Sequence, residues 1–312
     1  MSMSETNFAA SGSLNSKLWS KTKPFEHVPW QFPSQTEGTI RFLGPTKDGK
    51  DAMLNFKKGE EDQTNLGPCL EKRVTVTDLR HFEPQTTLAS EGIQWTCRPS
   101  ALSEDKLSGT PVEVKEFISG TYYDECAELV KEITGAARAI AYHYRHRRIE
   151  EDTNIHDTHN MSTKPVTYFH VDNDDRTATE SLRSVLGDTE ADSVLSHNKR
   201  WGIVNVWRPI GDVVKQWPLA LASSRGCETA PIYTRNNYKS HFTALKHSPH
   251  LCFYYVSNLK PDEALLFVNY YSGGKDTPAL RIAHGAFEDH NAPEGVPGRR
   301  SIEVRCLVLY ED

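Results

Sequence analysis

The chain has 312 residues, 37% of them hydrophobic and 25% charged, with a formal net charge of −6. That length suits one large domain or two small ones, and the apolar share suffices for an ordinary core. Acids and bases are interspersed, so no basic stripe points to nucleic acid, and no apolar run approaches the ~18 residues of a membrane span. The opening MSMSETNFAASGSLNSK lacks the apolar centre of a secretory signal. Cys69, Cys97, Cys126, Cys227, Cys252 and Cys306 are scattered without a CxxC pair. They predict reduced thiols in a cytoplasmic protein, not a disulfide frame or a zinc site.

In chain order, residues 1–36 are polar and Pro-containing and read as an arm, followed by a single domain over 37–312. TIRFLG (39–44) and KRVTVTDLR (72–80) alternate apolar and polar residues as strands do, with loop between them. Apolar residues at helical spacing from Tyr122 to Ile133, stopped by Gly135, predict a helix, and ARAIAYHYRHRR (137–148) resumes as a strand. Val166–Val171 reads as a strand and TATESLRSVLG (177–187) as a short helix closed by Gly187. The remainder is a succession of apolar strands at 201–210, 217–224, 250–259, 263–272, 280–287 and 301–310. Short strands without long intervening helices predict an all-β sandwich or jelly roll with helices packed outside, not a Rossmann sheet.

The strand at 166–171 ends unusually, in YFHVDNDD. His170 and Asp172 stand two apart, so on a strand they share a face. An imidazole and a carboxylate at that spacing suit a divalent metal, and an octahedral iron(II) centre needs two imidazoles and one carboxylate on one triangular face. His284 in LRIAHGAFED, near a late strand end and followed by Gly285, is the candidate third ligand, with His290 the next choice. The other histidines read as bland. His156 and His159 sit in a loop, His143 and His146 point to opposite faces of a strand, and His241, His247 and His250 surround a turn.

Iron(II) oxygenases of this type commonly take 2-oxoglutarate, whose far carboxylate needs a buried cation, ideally the Arg fork. GRRSIEVRCLVLY puts Arg299, Ser301, Glu303 and Arg305 on one strand face. Arg299 and Ser301, with Arg305 as a further candidate, are the expected cosubstrate-binding residues. The competing reading is an edge strand with a solvated charged face. In VNVWRPI, Asn205 and Trp207 share one face while Arg208 points the other way. Arg208 is either a carboxylate clamp or half of a structural ion pair. Arg225 in ASSR has a weaker claim of the same kind, and Tyr271 is a candidate pocket wall.

These stretches, taken together with TIRFLG, VTVTDLR, ITGAARAI, VTYFHVDNDD, WPLALASSR, DEALLFVNYYS and HGAFED, resemble the fungal hydroxylase/desaturase family (CmcJ/NvfI-like), which includes endoperoxide-forming oxygenases. The resemblance covers roughly residues 38–312, and its most specific part is the C-terminal Arg-x-Ser-Ile-Glu-Val-Arg strand. It implies a mainly β protein with a double-stranded β-helix (jelly roll, cupin-like) core and flanking α-helices. It also implies iron(II) held by His170, Asp172 and His284, with 2-oxoglutarate and O2 as cosubstrates.

The chain departs from the family pattern at Tyr270, Tyr271 and Ser272, at Arg300, and after Asp289. These departures bear on the substrate more than on the cofactors. Bulky Tyr270 and Tyr271 would narrow the pocket toward a small or flat substrate, with Arg208 or Arg225 taking a substrate carboxylate. The expected activity is hydroxylation, desaturation or oxidative ring closure of a secondary metabolite or amino-acid-derived small molecule. No nucleic-acid or membrane partner is expected, and a homodimer is left open. Two readings compete with this one: a non-catalytic jelly-roll metal- or ligand-binding protein, and a cupin-like metalloenzyme that does not use 2-oxoglutarate and needs no Arg299.

Overall fold

The computed structural model describes residues 34–54, 64–150, 164–223, 227–234, 241–273 and 280–311. Most of the expected arm, the loop carrying His156 and His159, and Arg225 lie outside them. Along the chain the described elements are β1 (Gln35–Phe42), β2 (Ala52–Leu54), β3 (Leu70–Asp78), β4 (Ile93–Cys97), α1 (Glu104–Leu107), α2 (Pro111–Phe117), α3 (Tyr123–Thr134), β5 (Arg138–Arg148), β6 (His170–Val171), α4 (Asp175–Leu186), α5 (Asp188–Ser196), β7 (Trp201–Pro209), β8 (Leu219–Ala222), β9 (Thr229–Thr234), β10 (His241–Leu245), β11 (Phe253–Tyr255), β12 (Glu263–Tyr271), β13 (His284–Ala286), β14 (Glu288–Asp289) and β15 (Arg300–Leu309).

They form two sheets. The larger runs β14-β1-β3-β11-β8-β13-β6-β10-β9-β2 and the smaller β4-β12-β7-β15-β5. The chain is mainly β with flanking helices, the cupin-like architecture expected. Several strands are shorter than the apolar runs suggested: β6 keeps only His170 and Val171, and β13 only His284 to Ala286. The polar-flanked β2, β4, β9 and β14 carry too weak an alternation to announce themselves. Gln35 and Thr36, assigned to the arm by composition, are the first residues of β1.

The middle strands of the smaller sheet are apolar because both faces are covered. WGIVNVWRP and EALLFVNYY are buried throughout. On the outer face Val204, Val206 and Val304 pack in one cluster with Cys126, Leu129 and Val130 of α3. That helix ends at Gly135, whose φ of 65 supplies the left-handed cap and whose N–H bonds the Lys131 carbonyl. On the inner face Trp201, Ile203 and Leu307 meet Ala178 and Leu182 of α4 and Ala191 and Val194 of α5. The helices therefore close one end of the space between the sheets. At the other end Asn205, Trp207, Ser301, Glu303 and Arg305 occupy the same face, aligned by the registers Trp207↔Glu303 and Asn205↔Arg305.

Candidate metal centre

β6 and β13 are neighbours in the larger sheet, and their one paired position is His284↔His170. This pairing brings together two imidazoles that are far apart in sequence, with ring centroids 4.5 Å apart. Gly285 is required beside them, since a Cβ there would lie 2.6 Å from Phe169 Cδ2. Asp172 follows β6 directly. His170 Nε2 lies 3.5 Å from its Oδ1 and His284 Nε2 lies 3.6 Å from its Oδ2. Ligand atoms of the three residues lie within 4.8 Å of one another, the only such cluster among the described residues. His290 is elsewhere, bonded to Thr39.

Each ring is set by the carbonyl two residues before it. His170 Nδ1 sits 2.9 Å from the Tyr168 oxygen and His284 Nδ1 3.2 Å from the Ile282 oxygen. An Nδ1–H donated to a carbonyl leaves the Nε2 lone pair for a metal. Burial, reinforced by His170, pushes His284 down to about 3, so its ring stays neutral, as a ligand must be. Burial alone would raise the Asp172 carboxyl. Arg305 beside it, with the two imidazoles, holds it well below the ordinary carboxylate range. Two imidazoles and one ionised carboxylate on one side of a cavity are the donor set that iron(II) takes in oxygenases. The residues present fit the metal.

The groups that hold Asp172 come from the opposite sheet. Asn269 of β12 donates to Oδ2 at 2.7 Å and Asn205 of β7 at 3.4 Å. Asn269 is itself fixed by accepting from Asn173 at 2.7 Å. Arg305 Nη2 reaches Oδ1 at 2.7 Å. Arg305 is thus placed against the ligand carboxylate, not at the far end of the cavity where a cosubstrate tail would lie. Asn269 and Asn173 did not emerge from the sequence reading. The available signal was an amide inside the apolar run FVNYY, where a buried polar group needs a partner.

A narrow cavity of about 40 Å³ adjoins the triad, lined by Trp207, Arg299, Glu303, Arg305, Arg145 and Arg147 among others. Arg299 is 5% exposed, donates Nη1 to the Trp217 carbonyl and stacks over Trp207 at 5.2 Å. Its Nε and the buried Ser301 Oγ have no hydrogen-bond partner among the described residues. Burial, with Arg147 nearby, brings the Arg299 guanidinium down to about 9. A buried guanidinium whose Nε lacks an acceptor and a buried hydroxyl without a partner fit the distal carboxylate of 2-oxoglutarate. A larger cleft of about 920 Å³, also lined by Arg299, contains none of the triad.

Arg208, Tyr270, Tyr271 and Arg300 lie away from the triad cavity. Arg208 is no clamp: fully buried on the outer face, it donates Nη1 to the carbonyls of Arg98 (2.7 Å) and Glu263 (3.3 Å) and lies 3.5 Å from Glu125 of α3. This is the structural alternative, and strand alternation is the reason. Tyr270 and Tyr271 do not wall the triad cavity. A register irregularity between Val268 and Tyr270 sends Tyr270 to Trp201 and Asp175, while Tyr271 is buried in the core cluster containing Phe267 and Ile282. Arg300 points outward to Glu104. Asn205 and Trp207 do face the site, but Asn205 touches the ligand carboxylate.

The fold and this donor set define a non-heme iron oxygenase. Comparisons with known proteins agree. Residues 40–309 match the family described as "Oxidoreductase/YMDC permease-like domain". Among the described residues no helix is long and apolar enough to cross a membrane. Oxidoreductase clz16 of Cochliobolus lunatus is 36% identical over 293 residues, spanning 88% of this chain and 97% of that protein. The Fe(II)/2-oxoglutarate-dependent dioxygenase nvfI of Aspergillus novofumigatus is 30% identical over 281 residues, spanning 88% and 96%. The solved structure of the iron and alpha-ketoglutarate-dependent endoperoxidase NvfI has a TM-score of 0.73 at 25% identity, covering 89% of this chain and 99% of that one. The chain belongs to this fungal oxidoreductase family, the hydroxylase/desaturase family that its motifs resemble. It is an iron(II)- and 2-oxoglutarate-dependent oxygenase acting on a small molecule. Of the three readings left open by the sequence, family membership selects the first.

Proposed function

We propose that His170, Asp172 and His284 hold iron(II), that Arg299 and Ser301 hold the distal carboxylate of 2-oxoglutarate, and that the reaction is oxidation of a C–H bond in a secondary-metabolite substrate. The observation that carries the assignment is the pairing of a converging triad with the unpartnered Arg299 Nε and Ser301 Oγ at the start of β15. The bound metal, cosubstrate and dioxygen supply hydrogen abstraction, with 2-oxoglutarate leaving as succinate and carbon dioxide. The protein's own residues do the rest. Neutral His284 and ionised Asp172 present lone pairs without prior proton loss. Asn269 and Arg305 fix the carboxylate plane. Trp207 supports the Arg299 fork so that the cosubstrate meets a preset cation. A cytoplasmic enzyme working without a nucleic-acid partner completes the reading, supported by the acidic net charge and six free cysteines.

The test separates the two sites. Titration of the metal-free protein with cobalt(II) should show tight binding that is lost in His170→Ala, Asp172→Ala and His284→Ala. Arg299→Gln should bind cobalt normally but raise the 2-oxoglutarate dissociation constant by roughly two orders of magnitude, the effect of ~3 kcal/mol for breaking a buried charge-assisted pair. Normal cobalt binding by His284→Ala, or normal cosubstrate affinity in Arg299→Gln, would reassign the residue concerned.

A further inference from the structure

The polar side chains that line the triad cavity divide by what they engage. His170, Asp172 and His284 converge on the metal position. Arg305 bonds Asp172, Arg147 donates to the Lys164 carbonyl at 3.1 Å, and Arg299 donates to the Trp217 carbonyl and faces the cosubstrate position. These arginines, with Arg145 and Trp207, carry donors only. Asp172 has both oxygens engaged, Oδ1 by Arg305 and Oδ2 by Asn269. Glu303 differs from all of them. It lines the cavity, yet its carboxyl has no hydrogen-bond or ion-pair partner among the described residues. Within that set it is the one side-chain acceptor of the cavity left without a donor.

The sheet fixes where that acceptor stands. Glu303 sits inside β15, paired with Trp207 of β7 on one side and Arg145 of β5 on the other. Ser301 and Arg305 flank it on the same face, each roughly 7 Å along the strand. A group held by Glu303 therefore lies between the cosubstrate anchor and the arginine on the ligand carboxylate, in the cavity of the metal position. The plainer role for a carboxyl here is to balance guanidinium charge, since Arg305 and Arg147 act on it electrostatically. Glu303 forms an ion pair with neither, so charge balance alone leaves its lone pairs unused.

Building on the iron and 2-oxoglutarate reading above, we propose that Glu303 accepts a hydrogen bond from a hydroxyl group of the organic substrate, so that the enzyme oxidises a C–H bond of a neutral, hydroxyl-bearing molecule. A carboxyl keeps acceptor lone pairs whether ionised or protonated, so the contact forms in either state. An ammonium group would also donate, but it would enter a cavity lined by four arginines. A carboxylate has no proton to give and would set acceptor against acceptor at Glu303. A neutral hydroxyl meets both conditions. Val166, Leu219 and Ala286 line the same cavity and suit the carbon skeleton.

The experiment uses the cobalt(II)-loaded protein, saturated with 2-oxoglutarate and unable to turn over. Octanol and its isomer heptyl methyl ether, of which only the alcohol donates a hydrogen bond, are titrated into it by calorimetry. The wild type should bind octanol at least about tenfold more tightly, because a site built to accept from a hydroxyl is left unpaired by the ether. Glu303→Leu should abolish that preference, and Glu303→Gln, whose amide oxygen still accepts, should keep it. Glu303→Ala takes the place of Glu303→Leu should the latter fail to bind cobalt. Absence of the preference in the wild type, or its survival without the acceptor, overturns the proposal. So does its loss in Glu303→Gln, which would mark a purely electrostatic role. Failure of the wild-type cobalt protein to bind 2-oxoglutarate at all is seen before any probe is added, and would overturn the parent reading instead.

Discussion

Asp172 is the residue on which the site turns, because both of its oxygens are already engaged by side chains from the facing sheet. Asn269, with 0% exposure, is the shorter of the two amide contacts to Oδ2. Asn269→Leu would free the carboxylate to rotate and strand the Asn173 amide. Metal affinity should fall about 10–100-fold, the usual effect of losing a group that orients a ligand. Competition with a fluorescent chelator measures it, and an unchanged affinity would show that Arg305 alone suffices. Glu303 carries the opposite electrostatic signature. Burial, then Asp172, push its carboxyl from 4.5 up to about 7. A raised acid favours the folded state in its neutral form, so its stabilising contribution is whole below 4.5 and is lost as pH rises through 7. Metal-free Glu303→Gln should therefore gain on the wild type across that interval, read from urea midpoints. Parallel pH profiles for the two proteins would contradict the assignment.

At the scale of elements, short strands are held by neighbours and not by their own length. β6 has two residues and β13 three, yet they carry the histidines, because β10 and β8 pair with them on either side. An ion pair helps to join the two sheets. Arg80, in the 3-10 turn after β3, forks onto Glu263 at the head of β12 at 2.7 and 2.6 Å. Glu263 also accepts the Lys260 N–H at 2.9 Å. Arg80→Ala would leave a largely buried carboxylate without its cation, a loss of about 3 kcal/mol. Chemical denaturation should show this, and replacing Glu263 with Leu in the same protein should recover part of it. A loss within ~0.5 kcal/mol would place the pair among ordinary surface contacts.

In the whole molecule the metal site is a bridge. The ligands belong to the larger sheet or its immediate continuation, and the side chains that fix Asp172 belong to the smaller one. A metal held by the proposed triad would therefore reinforce the closure of the sandwich at the end that the helices leave open. Cobalt(II) at about 100 times its dissociation constant should add about 2.7 kcal/mol to the stability of the metal-free protein. The gain should vanish in Asp172→Ala. A gain retained in that variant would mean that the stabilising ion sits elsewhere.

How much of this was legible in the sequence follows from the range of each interaction. The i, i+2 geometry of a strand is local, so His170 beside Asp172 and the row Arg299, Ser301, Glu303, Arg305 could be read directly from spacing. Continuous apolar runs marked β7 and β12, because burial on both faces leaves little room for polar residues. The role of Arg208 was left open, because alternation says which way a side chain points but not what awaits it. That Arg208 meets Arg98 and Glu125, that Tyr270 turns away at a bulge, and that Asn269 reaches Asp172 were settled only by sheet register and by the crossing of the two sheets. Each depends on partners tens to hundreds of residues apart, whose alignment no local pattern encodes. The chain by itself determined the donors and their chemistry, while the tertiary structure decided which of them share a cavity, because only the closed sandwich brings β5, β6, β12, β13 and β15 to one place.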